Sequence, residues 1–256
     1  MDFTNQWAYQ FFNSPDYLAI YQDMTTPGRT GKELDFCERV LRWEKGQRIL
    51  DAPCGAGRHC WELARRGHTV TGIDFSSYLL QQAQASSDRA AIDSTPPHWV
   101  RGLLQNLPFQ TAMFDFIICM FSSFGYGDTP KENLRILMEY ARVLRPGGKV
   151  LIDVMNRHFV LAGLAQIHRT VQSHLNVHEY RTLTDNKRRL HNRITVQHPN
   201  GVTHVYDYRP WMFNGWELSY MANQAGLEVD GLYGSFQAEP YHPQSERAML
   251  VAVKSA

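Results

Sequence analysis

The sequence has few cysteines, no long apolar run and no excess of either charge. Its four cysteines include no Cys-x-x-Cys pair, which argues against a disulfide framework and a zinc site. The 26 basic and 25 acidic side chains leave a net charge of +1, too little positive charge for a nucleic-acid binder. No apolar stretch approaches the roughly 18 residues of a membrane helix, and the N-terminus lacks the basic start and apolar core of a signal peptide. The sequence therefore predicts a cytoplasmic protein without nucleic-acid or membrane partners, and leaves its oligomeric state open.

The 256 residues, 43 % of them apolar, are enough for one domain with a large core. From residue 48 onward, short β-rich runs alternate with helical patterns. The run Phe114 to Met120 is almost wholly apolar, which is typical of a strand buried on both faces of a parallel sheet. The alternation predicts an α/β fold, a Rossmann-like sheet with helices on both faces.

The chain divides into four predicted segments. Residues 1–45 carry aromatic residues at helical spacing and are predicted to form an N-terminal helical cap. Residues 46–156 hold the strand–helix alternation, and residues 215–256 complete the core sheet with a helix and two strands that pair as a hairpin. Residues 157–214 interrupt the strand–helix alternation. Their pattern predicts an inserted β-hairpin lid, with its turn at Pro199-Asn200-Gly201.

A glycine turn follows the first predicted strand. The run Leu50-Asp51-Ala52-Pro53-Cys54-Gly55-Ala56-Gly57 joins that strand to a helix that starts at Arg58. Glycine lets a ligand approach the backbone closely, and a helix N-terminus presents free N–H groups. The next strand ends at Asp74, where a carboxylate can accept ribose hydroxyls. Strand, turn, helix, strand and acid together favour a nucleotide-type cofactor.

The turn lacks the third glycine of a dinucleotide fingerprint, because Cys60 stands near that place. The run 50–57 instead resembles the first motif of the class I S-adenosylmethionine-dependent methyltransferases. Further motifs are similar to a small-molecule branch of that superfamily: Gly72-Ile73-Asp74-Phe75-Ser76, Leu107-Pro108-Phe109, Ser122-Ser123-Phe124-Gly125-Tyr126 and Leu144-Arg145-Pro146-Gly147-Gly148. The resemblance implies a seven-stranded, mostly parallel sheet whose last strand is antiparallel.

The resemblance implies a role for each matching position in holding S-adenosyl-L-methionine. Asp51 would lie near the methionine amino group, Asp74 would accept both ribose hydroxyls, and Phe75 would flank the adenine. The other implied cofactor-binding positions are Ala52, Pro53, Gly55 and Gly57 in the turn, Leu104 and Gln105 at the adenine edge, and Cys119 and Met120 at the methionine end. Pro53 stands where many members of the family have glycine, and the sequence also departs from the family pattern at Leu103, where an aspartate often takes the adenine amino group.

Three further side chains are candidates for the cofactor carboxylate. Arg58 opens the helix after the glycine turn, and Tyr21 and Arg29 lie in the predicted cap. Arg58 has the alternative of a solvated surface position, and aromatic residues of the cap have the alternative of plain core packing.

Polar side chains after the fourth and fifth strands, and in the insert, are candidates for the acceptor site. The predicted catalytic residues are Tyr126 and His158, and the predicted substrate-binding residues are Tyr126, Asn156, Tyr208 and Arg209. A lone histidine such as His158 is more often a surface residue than a base. Arg209 could clamp an anionic substrate or pair with Asp207 or Glu217 instead.

No metal site is predicted. A helical piece is expected near 159–170, and His174 and His178 would share one helix face only if the helix continued through them. No carboxylate follows them at a matching spacing.

The sequence therefore predicts a methyltransferase that moves the methyl group of S-adenosyl-L-methionine to a small-molecule acceptor by in-line displacement, leaving S-adenosyl-L-homocysteine. The acceptor atom, oxygen, nitrogen or carbon, is left open. Two alternative functions remain open at the level of the sequence. An NAD(P)-dependent oxidoreductase shares the glycine turn and Asp74, and a non-catalytic cofactor-binding regulatory protein could use the same fold.

Overall fold

The computed structural model describes residues 8–86, 95–164, 167–172 and 175–255, and this part of the chain holds two sheets. In chain order the strands are β1 (Arg48–Asp51), β2 (Thr69–Asp74), β3 (His98–Arg101), β4 (Phe114–Cys119), β5 (Leu144–Met155), β6 (Ile167–Gln172), β7 (Leu175–Thr184), β8 (Arg189–Gln197), β9 (Thr203–Tyr208), β10 (Leu227–Tyr233) and β11 (Arg247–Lys254). The helices are α1 (Tyr9–Phe12), α2 (Pro15–Tyr21), α3 (Pro27–Leu41), α4 (Arg58–Arg65), α5 (Ser77–Ala85), α6 (Pro130–Val143), α7 (Arg157–Ala162) and α8 (Gly215–Gln224).

The larger sheet confirms the predicted α/β class. Its strand order is β10-β11-β5-β4-β1-β2-β3. The five strands from β5 to β3 are parallel, and β11 runs antiparallel to both of its neighbours. The order reverses beside β1, whose neighbours are β4 and β2. Open α/β sheets bind ligands at such a switch point, beyond the carboxyl ends of the strands.

The central strands are buried on both faces, as the apolar run in β4 predicts. Successive side chains of a strand point to opposite faces. Ile117 therefore packs in a core with α6 and α8, and Ile118 packs in a second core with α3 and α4. Both side chains are fully buried. The helices thus cover both faces of the sheet and fix the positions of the strand ends.

The insert, residues 157–214, is larger than the predicted hairpin. β6, β7, β8 and β9 form a four-stranded antiparallel sheet, and the predicted turn at 199–201 does join β8 to β9. The helix expected near 159–170 is wrong beyond Ala162, because α7 ends there and β6 begins at Ile167. His178 lies in β7, so it has no helical register with His174, which is outside the described residues.

The N-terminal helices pack against this second sheet. Phe11 and Phe12 of α1 share an apolar cluster with Val177, Ile194 and Tyr206 of the sheet. The aromatic residues in this region are therefore core, as one interpretation of the sequence held, and they also face the cavity described below. Trp7, the first of the aromatic series, is outside the described residues.

No helix in the described part of the chain combines the length and the apolar character that crossing a bilayer requires.

Candidate active site

A cavity of about 350 Å³ lies at the carboxyl ends of the central strands. Its walls come from the loops after β1, β2, β3 and β4, from α1 and α2, and from the ends of β5, β9 and β11. The predicted site residues that line it are Tyr21, Arg29, Pro53, Gly55, Asp74, Phe75, Leu104, Gln105, Tyr126 and Tyr208. Leu103, the departure from the family pattern, lines it as well. Residues from distant parts of the sequence therefore meet at one place.

Asp74 is held rigidly where β2 ends. Its Oδ2 accepts a hydrogen bond from the Gly55 amide at 2.8 Å, and its Oδ1 accepts one from the Ser76 amide at 2.9 Å. Burial raises the pKa of Asp74 to about 6, and the backbone hydrogen bonds oppose that rise. Each carboxylate oxygen has two lone pairs, so each can accept one further hydroxyl donor.

Two glycines of the turn, Gly55 and Gly57, were predicted to bind the cofactor. Only Gly55 has open space beside its backbone. Gly55 has a φ of +54°, and a Cβ at this position would meet nothing within 4 Å. Gly57 has a φ of +77°, and its Cβ would lie 2.4 Å from the Trp99 ring. Gly57 therefore permits close packing of α4 on the sheet, while Gly55 leaves space for a ligand.

Asp51 ends β1 and is buried with an unsatisfied oxygen, and it is not among the described residues that line the cavity. Its Oδ2 accepts a 3.3 Å hydrogen bond from the Cys60 thiol, and its Oδ1 has no hydrogen-bond partner among the described residues. Burial raises the pKa of Asp51 to about 7. A buried acceptor without a donor is costly, so the position suits a cationic ligand group.

Arg29 and Arg58 flank the ring of Phe121 on the α3 side of the cavity. Their guanidinium carbons lie 5.5 and 5.4 Å from the ring centroid. Glu33 holds both arginines, through Arg29 Nε at 2.9 Å and Arg58 Nη1 at 2.5 Å. Burial alone would raise the pKa of Glu33, but hydrogen bonds from His59 and the Arg58 charge lower it to about 2. The carboxylate stays charged and fixes the two guanidinium groups.

Arg58 is not the solvated residue of the alternative interpretation. Its Nη1 also donates to Thr30 Oγ1 at 2.9 Å, and its Nη2 is buried without an acceptor among the described residues. A guanidinium with a spare donor at this place suits a carboxylate. Glu33 and Phe121 were missed at the sequence level, because nothing in their local patterns distinguishes them from ordinary helix and loop residues.

The turn after β4 is held by a buried ion pair. Phe121 and Ser122 have φ values of +59° and +57°, a conformation that non-glycine residues rarely adopt. Asp153 accepts from the Phe121 amide at 3.0 Å, and Arg247 donates from Nη2 to Asp153 at 2.7 Å and to Ser122 Oγ at 3.3 Å. Asp153 and Arg247 therefore fix the position of Phe121 and Ser122, which form part of the cavity wall.

Two tyrosine hydroxyls meet at the other end of the cavity. Tyr126 follows β4 and Tyr208 ends β9, and their hydroxyl oxygens are 2.5 Å apart. Burial raises the pKa of Tyr208 to about 12, and burial together with the Tyr208 charge raises the pKa of Tyr126 well above its usual range. Both phenols are therefore neutral at physiological pH. They can act as hydrogen-bonding groups but not as bases.

Several predicted site residues do not reach the cavity with their side chains. Cys119 is fully buried in the core with Tyr140, and Met120 Sδ lies 3.9 Å from the Cys37 thiol. The reason is that β4 is buried on both faces, so its side chains enter the two cores. Ala52 is likewise fully buried.

The side chains of three predicted acceptor-site residues contact residues that do not line the cavity. Asn156 caps α7 and donates to the carbonyls of Pro243 and Ser245, both at 2.8 Å. The His158 ring faces Trp216 at a centroid distance of 6.3 Å. Arg209 is 46 % exposed and lies 3.9 Å from Asp207, the ion-pair alternative.

The comparisons with known proteins agree with this geometry. Residues 49–148 match the protein family described as "Methyltransferase domain". Cypemycin N-terminal methyltransferase from Streptomyces sp. is 29 % identical over 214 residues, which are 82 % of this chain and 83 % of that protein. The domain match and this relative support a class I S-adenosylmethionine-dependent methyltransferase. The resemblance seen in the motifs is thereby confirmed, and the oxidoreductase alternative has no support.

Solved structures show the same fold. CcbJ methyltransferase from Streptomyces caelestis superposes on this methyltransferase with a TM-score of 0.78 at 19 % identity, over 93 % of this chain and 96 % of that one. CalS10, an amino pentose methyltransferase from Micromonospora echinaspora solved with S-adenosylmethionine bound, gives a TM-score of 0.68 at 18 % identity, over 94 % and 98 %.

The residues of this methyltransferase fit S-adenosyl-L-methionine. The amino-acid end of that cofactor carries an ammonium and a carboxylate. Asp51 Oδ1 lacks a donor and Arg58 Nη2 lacks an acceptor, among the described residues. Gly55 and Asp74 offer space and hydroxyl acceptors beside them.

Proposed function

We propose that this methyltransferase transfers the methyl group to the nitrogen of a small amine that binds beneath Tyr126 and Tyr208. The observation that carries the proposal is the absence of a base. Among the described residues that line the cavity there is no histidine, lysine or cysteine. Its tyrosines have raised pKa values, so their phenolates are not available at neutral pH.

The two carboxylates of the lining do not serve as bases in this proposal. Asp74 is bound by two backbone amides at the end of β2. Glu246 is exposed, and it also lines a second depression beside α3. An alcohol or a carbon acid must lose its proton to become a nucleophile, whereas a neutral amine attacks with its own lone pair.

The bound cofactor supplies an electrophilic methyl group, and the C–N bond forms as the C–S bond breaks, with the electron pair passing to sulfur. The chain's own residues position the partners and exclude water. Tyr126 and Tyr208 would orient the amine by hydrogen bonds. The nitrogen sheds its extra proton to solvent afterwards, so no buried base is needed.

The cofactor contacts are proposed residue by residue. Asp74 would accept the ribose hydroxyls, Asp51 the methionine ammonium, and Arg29 and Arg58 the carboxylate. Phe75 would flank the adenine. Leu104 and Gln105 would border the adenine edge, with Leu103 leaving an apolar contact in place of an acidic one.

The surrounding segments would enclose the acceptor. We propose residues 1–45 as a cap and residues 157–214 as a lid over the core formed by 46–156 and 215–256. The aromatic cluster of α1 with the second sheet supports this arrangement. An enclosed acceptor fits a small molecule, and the amine fits the names of the two relatives above, which specify an N-terminus and an amino sugar.

The test is a pH–rate profile with two small amines whose own pKa values differ. With labelled methyl donor, kcat/KM is expected to rise with pH at a midpoint that follows the pKa of each amine. A midpoint that stays fixed when the amine is changed would reveal an enzyme base and contradict the proposal. Tyr126→Phe and Tyr208→Phe are expected to lower kcat/KM about 10-fold or more, while the matched exposed variant Arg209→Ala leaves it unchanged.

A further inference from the structure

A cluster of three metal-ligating side chains lies outside the cavity. Asp16 comes from α2, His198 directly follows β8, and His204 belongs to β9. His204 Nδ1 lies 2.7 Å from Asp16 Oδ2, His198 Nε2 lies 3.2 Å from Asp16 Oδ1, and the two ring nitrogens are 3.2 Å apart. Asp16 is more than 180 positions away from both histidines in the sequence, whereas the two histidines are six positions apart.

Hydrogen bonds do not explain all three contacts together. Each nitrogen needs a proton to bond the carboxylate. If both rings donate to Asp16, no proton lies between the two nitrogens, which then face each other at hydrogen-bond distance without a bond. If one ring lacks its proton, its contact with the carboxylate is lost instead. Two imidazole nitrogens and a carboxylate whose ligand atoms lie within 4.8 Å of one another can instead share a metal ion.

The spacing of the cluster matches a tetrahedral ion. Imidazole nitrogens and carboxylate oxygens bind zinc at about 2.0–2.2 Å, which places ligand atoms roughly 3.3 Å apart. The two ring nitrogens are 3.2 Å apart, and each lies near a different oxygen of Asp16, His198 Nε2 at 3.2 Å from Oδ1 and His204 Nδ1 at 2.7 Å from Oδ2. Asp16 is buried, while His204 is 44 % exposed, so a fourth position is open to water.

The carboxylate is also oriented by the neighbouring residues. Tyr206 donates its hydroxyl to Asp16 Oδ2 at 2.7 Å, and the Ser14 hydroxyl lies 2.7 Å from the Tyr206 oxygen. Partners of this kind fix a ligating carboxylate in most metal sites. Imidazole with one carboxylate suits zinc and its first-row neighbours rather than calcium or magnesium.

We propose that Asp16, His198 and His204 bind one divalent ion of the zinc class, with water as the fourth ligand. The ion links α2 to the β8–β9 hairpin. Tyr17, the next residue after Asp16, lines the cavity, so the ion holds part of the cavity wall against the second sheet. The proposal is independent of the acceptor chosen above.

The test is titration of the tag-free, full-length chain with cobalt(II), followed by displacement with zinc(II). The expected result is one Co²⁺ per chain with the intense visible bands of a tetrahedral site, which zinc removes. Zinc at about 100 times its Kd is expected to raise the Tm by roughly 5–10 °C. His204→Ala and Asp16→Asn are expected to weaken cobalt binding at least about 100-fold.

The matched control is His191→Ala, which removes a histidine of the same sheet that pairs with Asp207 and is not part of the cluster. It is expected to bind cobalt like the wild type. Circular dichroism verifies the fold of each variant, and His198→Asn replaces any variant that fails to fold. No tetrahedral bands in the wild type, or equal losses in His191→Ala and His204→Ala, would overturn the proposal.

Discussion

At the residue scale, two buried carboxylates at the ends of β1 and β2 have different surroundings. Asp74 has an amide donor on each oxygen, whereas Asp51 has one thiol donor and one oxygen without a partner among the described residues. Burial is the main cause of both raised pKa values, about 6 for Asp74 and about 7 for Asp51. A cation beside Asp51 would offset the cost of burying its charge, which is the larger of the two burial costs.

The proposed contact of Asp51 with the methionine ammonium predicts that cofactor binding depends on pH. Its raised pKa means that the free protein holds a proton there below pH 7, and an ammonium beside it favours the ionised form. Binding of S-adenosylhomocysteine is therefore expected to release a proton, and its Kd falls by up to about tenfold per pH unit between about pH 5.5 and 7, then levels off. Calorimetry in two buffers of different ionisation enthalpy measures the proton.

Asp51→Asn is expected to remove most of this slope, leaving only the part that Asp74 contributes near pH 6. The exposed variant Asp230→Asn, whose parent side chain pairs with Lys149 on the sheet edge, keeps the full slope. A Kd that is constant over the range in the wild type would remove Asp51 from the ammonium site.

At the element scale, the turn after β4 depends on the ion pair beneath it. Arg247→Met leaves Asp153 charged, buried and unpaired, and the expected loss is about 3–5 kcal/mol of unfolding free energy. Urea denaturation measures it. Lys149→Met breaks a more exposed pair on β5 and is expected to cost less than about 1 kcal/mol.

The double variant Asp153→Asn/Arg247→Met is expected to be more stable than the sum of the single variants predicts, because neither side chain is then left charged and alone. Additive losses would show that the pair does not act as a unit.

Elements with strong local signals were predictable, and elements fixed by distant contacts were not. The strand–glycine turn–helix around Gly55 and the apolar run of β4 are local patterns, so the sheet could be derived from them. β6 follows a segment with helical spacing, and only pairing with β7 makes it a strand. Asp16 and His204 are 188 positions apart, so no spacing rule could join them.

The candidate site shows the same division. Asp74 was accessible to sequence reasoning because it ends a strand beside a glycine turn. His158 and Arg209 occupy sequence positions of the expected kind, but their side chains turn to Trp216 and Asp207. Side-chain direction at the end of a strand depends on packing that no local pattern records.

At the scale of the whole molecule, ligand binding adds directly to stability. S-adenosylhomocysteine at about 100 times its Kd is expected to contribute about 2.7 kcal/mol and to raise the Tm by roughly 5–10 °C. A thermal-shift measurement tests this, with NAD and NADP as negative comparisons. At the same ligand concentration, Asp74→Ala is expected to show a much smaller shift, since losing charged hydrogen bonds costs about 1–3 kcal/mol.

A shift with NAD that equals the shift with S-adenosylhomocysteine would contradict the cofactor assignment. An undiminished shift in Asp74→Ala would contradict the proposed ribose contact alone, because the remaining cavity residues are unchanged in that variant.

The four strands of the insert pair with one another, and within the described residues none of them pairs with the seven-stranded sheet. The chain leaves the core after β5 and rejoins it before α8. Sequence changes in the insert therefore leave the backbone pairing of the core intact. Tyr208, at the end of β9, lines the cavity, so substitutions in the insert can reshape one wall of the pocket without breaking a backbone hydrogen bond of the core sheet. A change of acceptor therefore requires no change in the strands that carry Asp51 and Asp74.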